Sequence, residues 1–396
     1  MKSLKTIDVA GKRVLVRVDF NVPLDDQQQI TDDTRIQSAV PTIEYLVGAG
    51  AKVIVCSHLG RPKGKPDPVF SLAPTARRLG ELLDRPVEMA NTCVGPDVVS
   101  RIARMAPGDV LMLENLRFHP GEANDDDAFA RALAALCDVY VDDAFAVSHR
   151  ANASVDAVTK YAPVCAPGFL MEKELGAFGK ALENPARPFV AIVGGAKVSS
   201  KLPALQHLLQ EVDRLIIGGA MANTFLAAKG VNVGKSKIEQ ELIGEARSVI
   251  RQAAEKKVEL FLPVDVIVAE KIDPDADRQA VSVDRIPADA MALDIGPETS
   301  RLFGDALKDA KTIVWNGPMG IFEMEAFAAG TKAVAAAVAD SKAFTVVGGG
   351  DTVSAVHEAG VADRISYIST GGGAFLELME GKTLPGVAAL ERNQPA

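Results

Sequence analysis

Short β-branched apolar runs alternate along the chain with longer stretches whose apolar residues recur every three or four positions. Runs of the first kind predict strands and stretches of the second kind predict helices. VLVRV (14–18), KVIVC (52–56), VLML (110–113) and VYV (139–141) read as strands, with helical spacing in segments such as 33–47 and 128–136 between them. The rhythm restarts at FVAIV (189–193) and continues through RLIIG (214–218), ELFL (259–262), TIVW (312–315), FTVV (344–347) and ISYI (365–368). This alternation predicts α/β architecture, with parallel sheets wrapped by helices. Between the two series, Leu170, Met171, Leu175, Phe178 and Leu182 share one helical face and prolines stand on both sides. That predicts a linker helix over 169–185, between a domain spanning 1–168 and a second beginning at 186.

Composition agrees with this division. A chain of 396 residues, 48% apolar, exceeds the usual size of one domain. The net charge of −9 argues against a nucleic-acid surface, and no run of 18 apolar residues predicts a membrane span. The opening MKSLKTIDVAGKR carries charges where a signal peptide needs its apolar centre, so a cytoplasmic address is expected. Cys56, Cys93, Cys137 and Cys165 are far apart and form no C-x-x-C pair. They read as buried thiols rather than a disulfide framework or a zinc site.

In parallel sheets ligands bind beyond the carboxyl ends of the strands, so the residues just after each strand report the ligand. In the first half the strands run into RVDFN, CSHLGR, LENLRFH and DDAFAVSHR. Arg61, Arg117 and Arg150 each follow a different strand and would converge on one crevice, with His58, His119 and His149 beside them. Guanidinium forks suit carboxylate and phosphate oxygens, so this cluster, with Asp19 and Asn21 interleaved, fits a small, highly anionic ligand bearing a hydroxyl. Arg35 stands in the first turn of a helix that Asp32 or Asp33 would cap, where the macrodipole disfavours a cation.

The strands of the second half run into glycines: IVGGAK, IIGGAM, WNGPMG, VVGGGDT and ISTGGGA. Glycine lets backbone N–H groups approach phosphate closely, and a following helix adds its positive end. Gly195, Gly219, Gly349, Gly350 and Gly371, Gly372 and Gly373 are placed for this. Lys197 and Lys201, four apart, are expected to share a face on the opening turn of a helix. Asp351 reads either as a magnesium-holding carboxylate beside nucleotide phosphates or as the N-cap of the helix that follows. GVNVGKS (230–236) is one residue short of a P-loop and follows a helical stretch, and no G-x-G-x-x-G follows the first strand of either half.

RVDFNVP, SHLGRP, ENLRF, GGAKVSSK, LPVD, DIGPET, WNGPMGIFE, GGGDT and STGGGAFLELMEGK, in this order and over nearly the whole chain, together resemble phosphoglycerate kinase. The resemblance implies two doubly wound parallel-sheet domains joined by the linker helix and a hinge. Residues 1–168 would take 3-phosphoglycerate or 1,3-bisphosphoglycerate, 186–374 would take Mg2+ with ATP or ADP, and 375–396 would return to the first domain. It assigns Asp19, Asn21, Arg35, His58, Arg61, Arg117 and Arg150 to the phosphoglycerate. Lys197, Lys201, Asn316, Glu323, Gly350, Asp351 and Thr352 fall to the nucleotide, magnesium and phosphate, with Glu323 on the ribose. A monomer is expected. Two departures from the family pattern stand out: Ala146 and Val147 where glycine and threonine are common, and Phe375 where a small hydroxyl residue is common.

An acyl phosphate gives a carboxylate leaving group, and an ADP phosphate is already ionised, so transfer between them needs no general base. Catalysis should rest on in-line positioning and charge stabilisation by Arg35, Lys197 and Lys201 after closure of the cleft. A kinase for a simpler acid such as acetate would not need so many first-half cations. A two-lobed binding protein would not need the glycine turns, the lysines and Asp351.

Overall fold

The computed structural model describes residues 1–393, which divide into two compact units: residues 1–176 with 383 onward, and residues 177–382. In the first unit, β1 (Arg13–Val18), β2 (Lys52–Cys56), β3 (Val87–Met89), β4 (Val110–Met112), β5 (Val139–Asp143) and β6 (Cys165–Pro167) form one sheet. Its order is β3-β4-β2-β1-β5-β6, and every pairing is parallel. Helices cover both faces, which is why β2 reads as a continuous apolar run and β1 as one broken only by Arg17, rather than as alternation. Val14, Val16, Val53 and Val55 pack against Ile36 and Ile43 of helix Thr34–Gly48 and Leu79 of helix Ala73–Leu83.

The second unit holds a six-stranded sheet of β7 (Phe189–Val193), β8 (Arg214–Ile217), β9 (Glu259–Phe261), β13 (Thr312–Asn316), β14 (Phe344–Val347) and β15 (Tyr367–Ile368). Its order is β15-β14-β13-β7-β8-β9, again parallel throughout. Trp315, the chain's one tryptophan, is fully buried in this core and donates its Nε1–H to the Gly317 carbonyl at 2.8 Å. A second sheet of this unit was not expected. It is antiparallel, with β10 (Asp265–Ala269) between β11 (Arg278–Ser282) and β12 (Met291–Ile295). β11, sequence RQAVS, lies almost wholly exposed and so has no apolar run to announce it.

The linker segment forms helix Phe169–Phe178 and then one wider turn over Gly179–Glu183, and the division between units falls inside that helix. The return to the first unit begins at residue 383, not at 375. Residues 375–382 stay with the second unit because Phe375 is fully buried there, filling the space that Gly348 leaves and meeting Phe178 edge-on at 5.2 Å. Helix Pro385–Arg392 then docks on the first unit, where Gly386 N–H donates to Ser148 O at 2.9 Å and Arg392 pairs with Asp156 at 2.5 Å.

Candidate active site

Strand order in a doubly wound sheet reverses at one point, and the crevice beyond the strand ends opens there. In the first sheet the reversal lies between β1 and β5. β1 delivers Asp19 and Asn21, its neighbour β2 delivers His58, and the chain after β5 leads to Arg150. Asp19 is buried and its Oδ2 accepts from Arg35 Nη1 at 2.5 Å. Asn21 Oδ1 accepts the Gly60 N–H at 2.8 Å, while Arg117 Nη1 donates to the Gly60 carbonyl at 2.7 Å, so the two side chains grip one peptide segment.

His58 is buried at the centre of this group. Burial first, and then the charges of Arg17, Arg117, Arg35 and Arg150, hold its pKa well below the ordinary histidine value, so the ring is neutral. Arg17 Nη2 donates to His58 Nδ1 at 3.2 Å, which leaves the proton on Nε2 as a free donor. Burial, with Arg17 and Arg150 nearby, lowers Arg117 to about 10. Four guanidiniums facing one neutral imidazole make an anion trap with a hydrogen-bond donor at its floor.

Arg17 was missed from the sequence. It is buried, donates Nε–H to Ser154 Oγ at 2.9 Å and lies 3.9 Å from Glu122, which in turn accepts from Ser154 Oγ at 2.7 Å. Its one sequence signal is a charge interrupting the apolar run of β1. Arg61 is exposed and makes no hydrogen bond or ion pair among the described residues. Arg150 is exposed as well, its Nε against His149 Nε2 at 3.1 Å. His119 lies apart, stacked on Phe129. Ala146 and Val147 form a short 3-10 turn with ordinary negative φ, so the loop needs no glycine there. Nor does Asp33 cap helix Thr34–Gly48 through its side chain: Asp32 accepts the Thr34 N–H, and Asp33 pairs with Arg78 at 2.8 Å.

In the second unit the reversal lies between β7 and β13, whose ends carry Gly194 and Gly195 on one side and Asn316 on the other. A cavity of about 340 Å³ opens in this unit. Gly195, Gly219, Met291, Leu293, Pro318 and Ile321 line it, with Lys237, Asp294, Glu323 and Asp351 as its charged members. Gly219, at φ +69°, lies so close to Gly195 that a Cβ would stand 2.5 Å from the Gly195 nitrogen. Gly349, at φ +93°, abuts the Asn316 amide in the same way. Asn316 Nδ2 donates to Gly348 O at 2.7 Å and its Oδ1 accepts from Lys201, so it joins three phosphate-candidate loops. Burial pulls the Lys201 pKa down, and Asp351 and Glu380 oppose that.

Lys197 and Lys201 do not share a helical face. The helix runs Leu202–Glu211 with Pro203 in its first turn, so both lysines precede it: Lys201 is half-buried on Asn316 and Lys197 is exposed. Asp351 is not an N-cap, since helix Gly350–Glu358 begins one residue earlier and Gly349 occupies that position. Its exposed carboxylate makes no hydrogen bond among the described residues, which fits a site for a hard cation. Thr352 is buried, its Oγ1 accepting the Gly317 N–H at 2.7 Å. Gly371 donates to Ser369 Oγ at 3.0 Å and Gly373 opens helix Gly373–Met379. Phe375 faces the core and so offers the glycine triplet no side-chain group. Asp294, Lys237 and the antiparallel-sheet walls of the cavity had not been expected.

A family model described as phosphoglycerate kinase matches residues 4–382. The phosphoglycerate kinase of Geobacter metallireducens is 57% identical over 97% of this chain and 96% of its own, and that of Moorella thermoacetica is 57% identical over 98% of each. Among solved structures, phosphoglycerate kinase from Coxiella burnetii aligns with a TM-score of 0.91 at 44% identity, and that from Pyrococcus horikoshii OT3 with 0.86 at 34%. Each covers 99% of both chains. Family model, relatives and fold thus agree, and the chain belongs to the phosphoglycerate kinase family.

Proposed function

We propose that the guanidinium cluster around His58 holds the phosphoglycerate and that the glycine-lined cavity of the second unit holds ADP or ATP in the phosphoryl transfer that defines this family. The observation that carries the assignment is the buried, neutral His58 ringed by Arg17, Arg35, Arg117 and Arg150. A bisphosphorylated or carboxylated ligand meets forked donors there, and His58 Nε2–H and Asn21 can reach its hydroxyl. Arg61 adds charge at the rim.

In the second unit the apolar walls take the base and Glu323 takes the ribose hydroxyls. Lys201, Lys197 and the N–H groups of Gly349, Gly350, Gly372 and Gly373 take the phosphates; the Gly195, Gly219 and Gly371 N–H groups already donate to Pro318 O, Met319 O and Ser369 Oγ, so these glycines serve close approach instead. Asp351 would hold Mg2+, which neutralises charge between the phosphates when bound. Arg35 and the two lysines stabilise the transferring phosphoryl group, and neither substrate requires a protein base. The protein works as a monomer in the cytoplasm. No helix among the described residues is long and apolar enough to cross a membrane.

A coupled assay with 3-phosphoglycerate, ATP and magnesium tests the reading. Turnover should require all three components and should be lost in a His58→Ala, Arg117→Ala double variant. Full activity in that variant would remove the cluster from the reaction.

A further inference from the structure

One buried carboxylate of the cavity wall has no part in the functions above. Asp294, on β12, is 4% exposed. Its Oδ2 accepts the Gly330 N–H at 2.7 Å and its Oδ1 accepts the Ile295 N–H at 2.9 Å. Two glycines crowd it: a Cβ on Gly320 would stand 2.3 Å from Oδ1, and one on Gly330 would stand 2.4 Å away. Residues 320 and 330 bracket the loop that carries Ile321 and Glu323 into the cavity. Two further bonds follow the same course, Ile321 N–H to Leu293 O at 3.1 Å and Met319 N–H to Thr331 Oγ1 at 3.0 Å. One end of the loop is therefore hydrogen-bonded to the Asp294 side chain and the other is packed against it.

We propose that Asp294 is a positioning residue for the nucleotide's ribose: by clamping Gly320 and Gly330 it fixes the loop that presents Glu323 and Ile321 to the ligand. The inference rests on the reading of this cavity as the nucleotide site and of Glu323 as the ribose acceptor. An apolar residue at 294 would fill the same space but leave the Gly330 N–H without its acceptor. An asparagine keeps the shape yet can accept only through one atom, so one of the two N–H groups loses its partner. Gly330→Ala attacks the same contact from the opposite side, because its Cβ must displace both Ile295 Cγ1, at 2.3 Å, and the carboxylate, at 2.4 Å.

The test compares ATP with 2′,3′-dideoxy-ATP, which lacks both ribose hydroxyls, as substrates for wild type, Glu323→Gln, Asp294→Asn and Gly330→Ala at saturating 3-phosphoglycerate. Wild type should prefer ATP by roughly tenfold or more in kcat/KM, and Glu323→Gln should erase most of that preference. Asp294→Asn and Gly330→Ala should shrink it toward the Glu323→Gln value and raise the KM for ATP, with the KM for 3-phosphoglycerate held within about twofold. Adding Asp294→Asn to Glu323→Gln should cost no further preference. A lowered melting temperature with the full wild-type preference and ATP KM in Asp294→Asn would overturn the proposal, leaving Asp294 a stabilising residue only. If Glu323→Gln keeps the preference, the ribose reading of Glu323 fails instead. The ATP KM of Asp294→Asn then decides whether the clamp acts on the nucleotide at all, and an unchanged value sinks it.

Discussion

Arg35 Nη1 and Asp19 Oδ2 meet at 2.5 Å, joining the first turn of helix Thr34–Gly48 to the end of β1. A cation in the first turn of a helix opposes the positive end of the macrodipole, and Asp19 offsets that opposition. The pair is half open: Asp19 is buried and Arg35 is 40% exposed. Asp19 thus holds the guanidinium by one nitrogen, and the remaining donors make no hydrogen bond among the described residues. If Arg35 stabilises the transferring phosphoryl group, a donor held in this way is oriented before that group arrives.

Arg35→Ala should therefore act on the chemical step. Removing one charge-stabilising donor typically costs ~10² to 10³ in rate. Binding of each ligand alone should change by less than about 1 kcal/mol. Arg35→Lys should recover little, since an ammonium cannot keep Asp19 and reach the phosphoryl oxygens with a planar fork. Wild-type turnover in Arg35→Ala at saturating substrates would remove it from the mechanism.

Gly219→Ala places a methyl 2.5 Å from the Gly195 backbone nitrogen at a φ of +69°. The two loops must separate, at a cost of about 1–3 kcal/mol in stability. The KM for ATP should rise and the KM for 3-phosphoglycerate should stay near wild type. An alanine variant with unaltered ATP kinetics would show that the cavity tolerates the displacement and that this wall does not touch the nucleotide.

Three buried carboxylates set a pH dependence of stability. Burial raises Asp142 to about 7, Asp143 to about 6 and Asp294 to about 7. Between the ordinary aspartate value near 4 and these raised values, the folded state binds more protons than the unfolded state. Stability therefore falls as pH rises through that window. Asp142→Asn keeps an acceptor for the Ala144 N–H, which Asp142 now accepts at 3.0 Å, and removes one of the three titrations. Its melting temperature should exceed that of wild type at pH 8 and converge with it toward pH 4. Parallel melting curves for the two proteins across this range would show that Asp142 titrates normally.

Most of the sheet was legible because buried parallel strands are apolar on both faces. VLVRV, KVIVC and FVAIV could hardly be read otherwise. β3 (VEM) and β6 (CAP) hold no continuous β-branched or apolar run, and β11 is too exposed to need one. Asp19, Asn21, His58 and Arg117 could be singled out as candidates because each lies in the segment just beyond a strand. Arg17 was not, since its neutralising partners Glu122 and Ser154 lie more than a hundred residues away. Lys197 and Lys201 were misplaced relative to each other because spacing alone implied a helix that Pro203 starts later. Asp294 was in view only as the first residue of DIGPET, with no role of its own: the one proposed for it depends on two glycines, at 320 and 330, that only the folded chain brings to it.

The guanidinium cluster of the first unit and the glycine-lined cavity of the second are proposed to hold different substrates. Calorimetric titration of Arg117→Ala and Asp351→Asn, each with 3-phosphoglycerate and with Mg-ADP, tests this most directly. Arg117→Ala should weaken 3-phosphoglycerate binding roughly tenfold to a hundredfold, the worth of one charge-assisted bond of about 1.5–3 kcal/mol, and spare Mg-ADP. Asp351→Asn should weaken Mg-ADP and spare 3-phosphoglycerate. Loss of the same ligand in both variants, or of both ligands in either folded variant, would contradict the account.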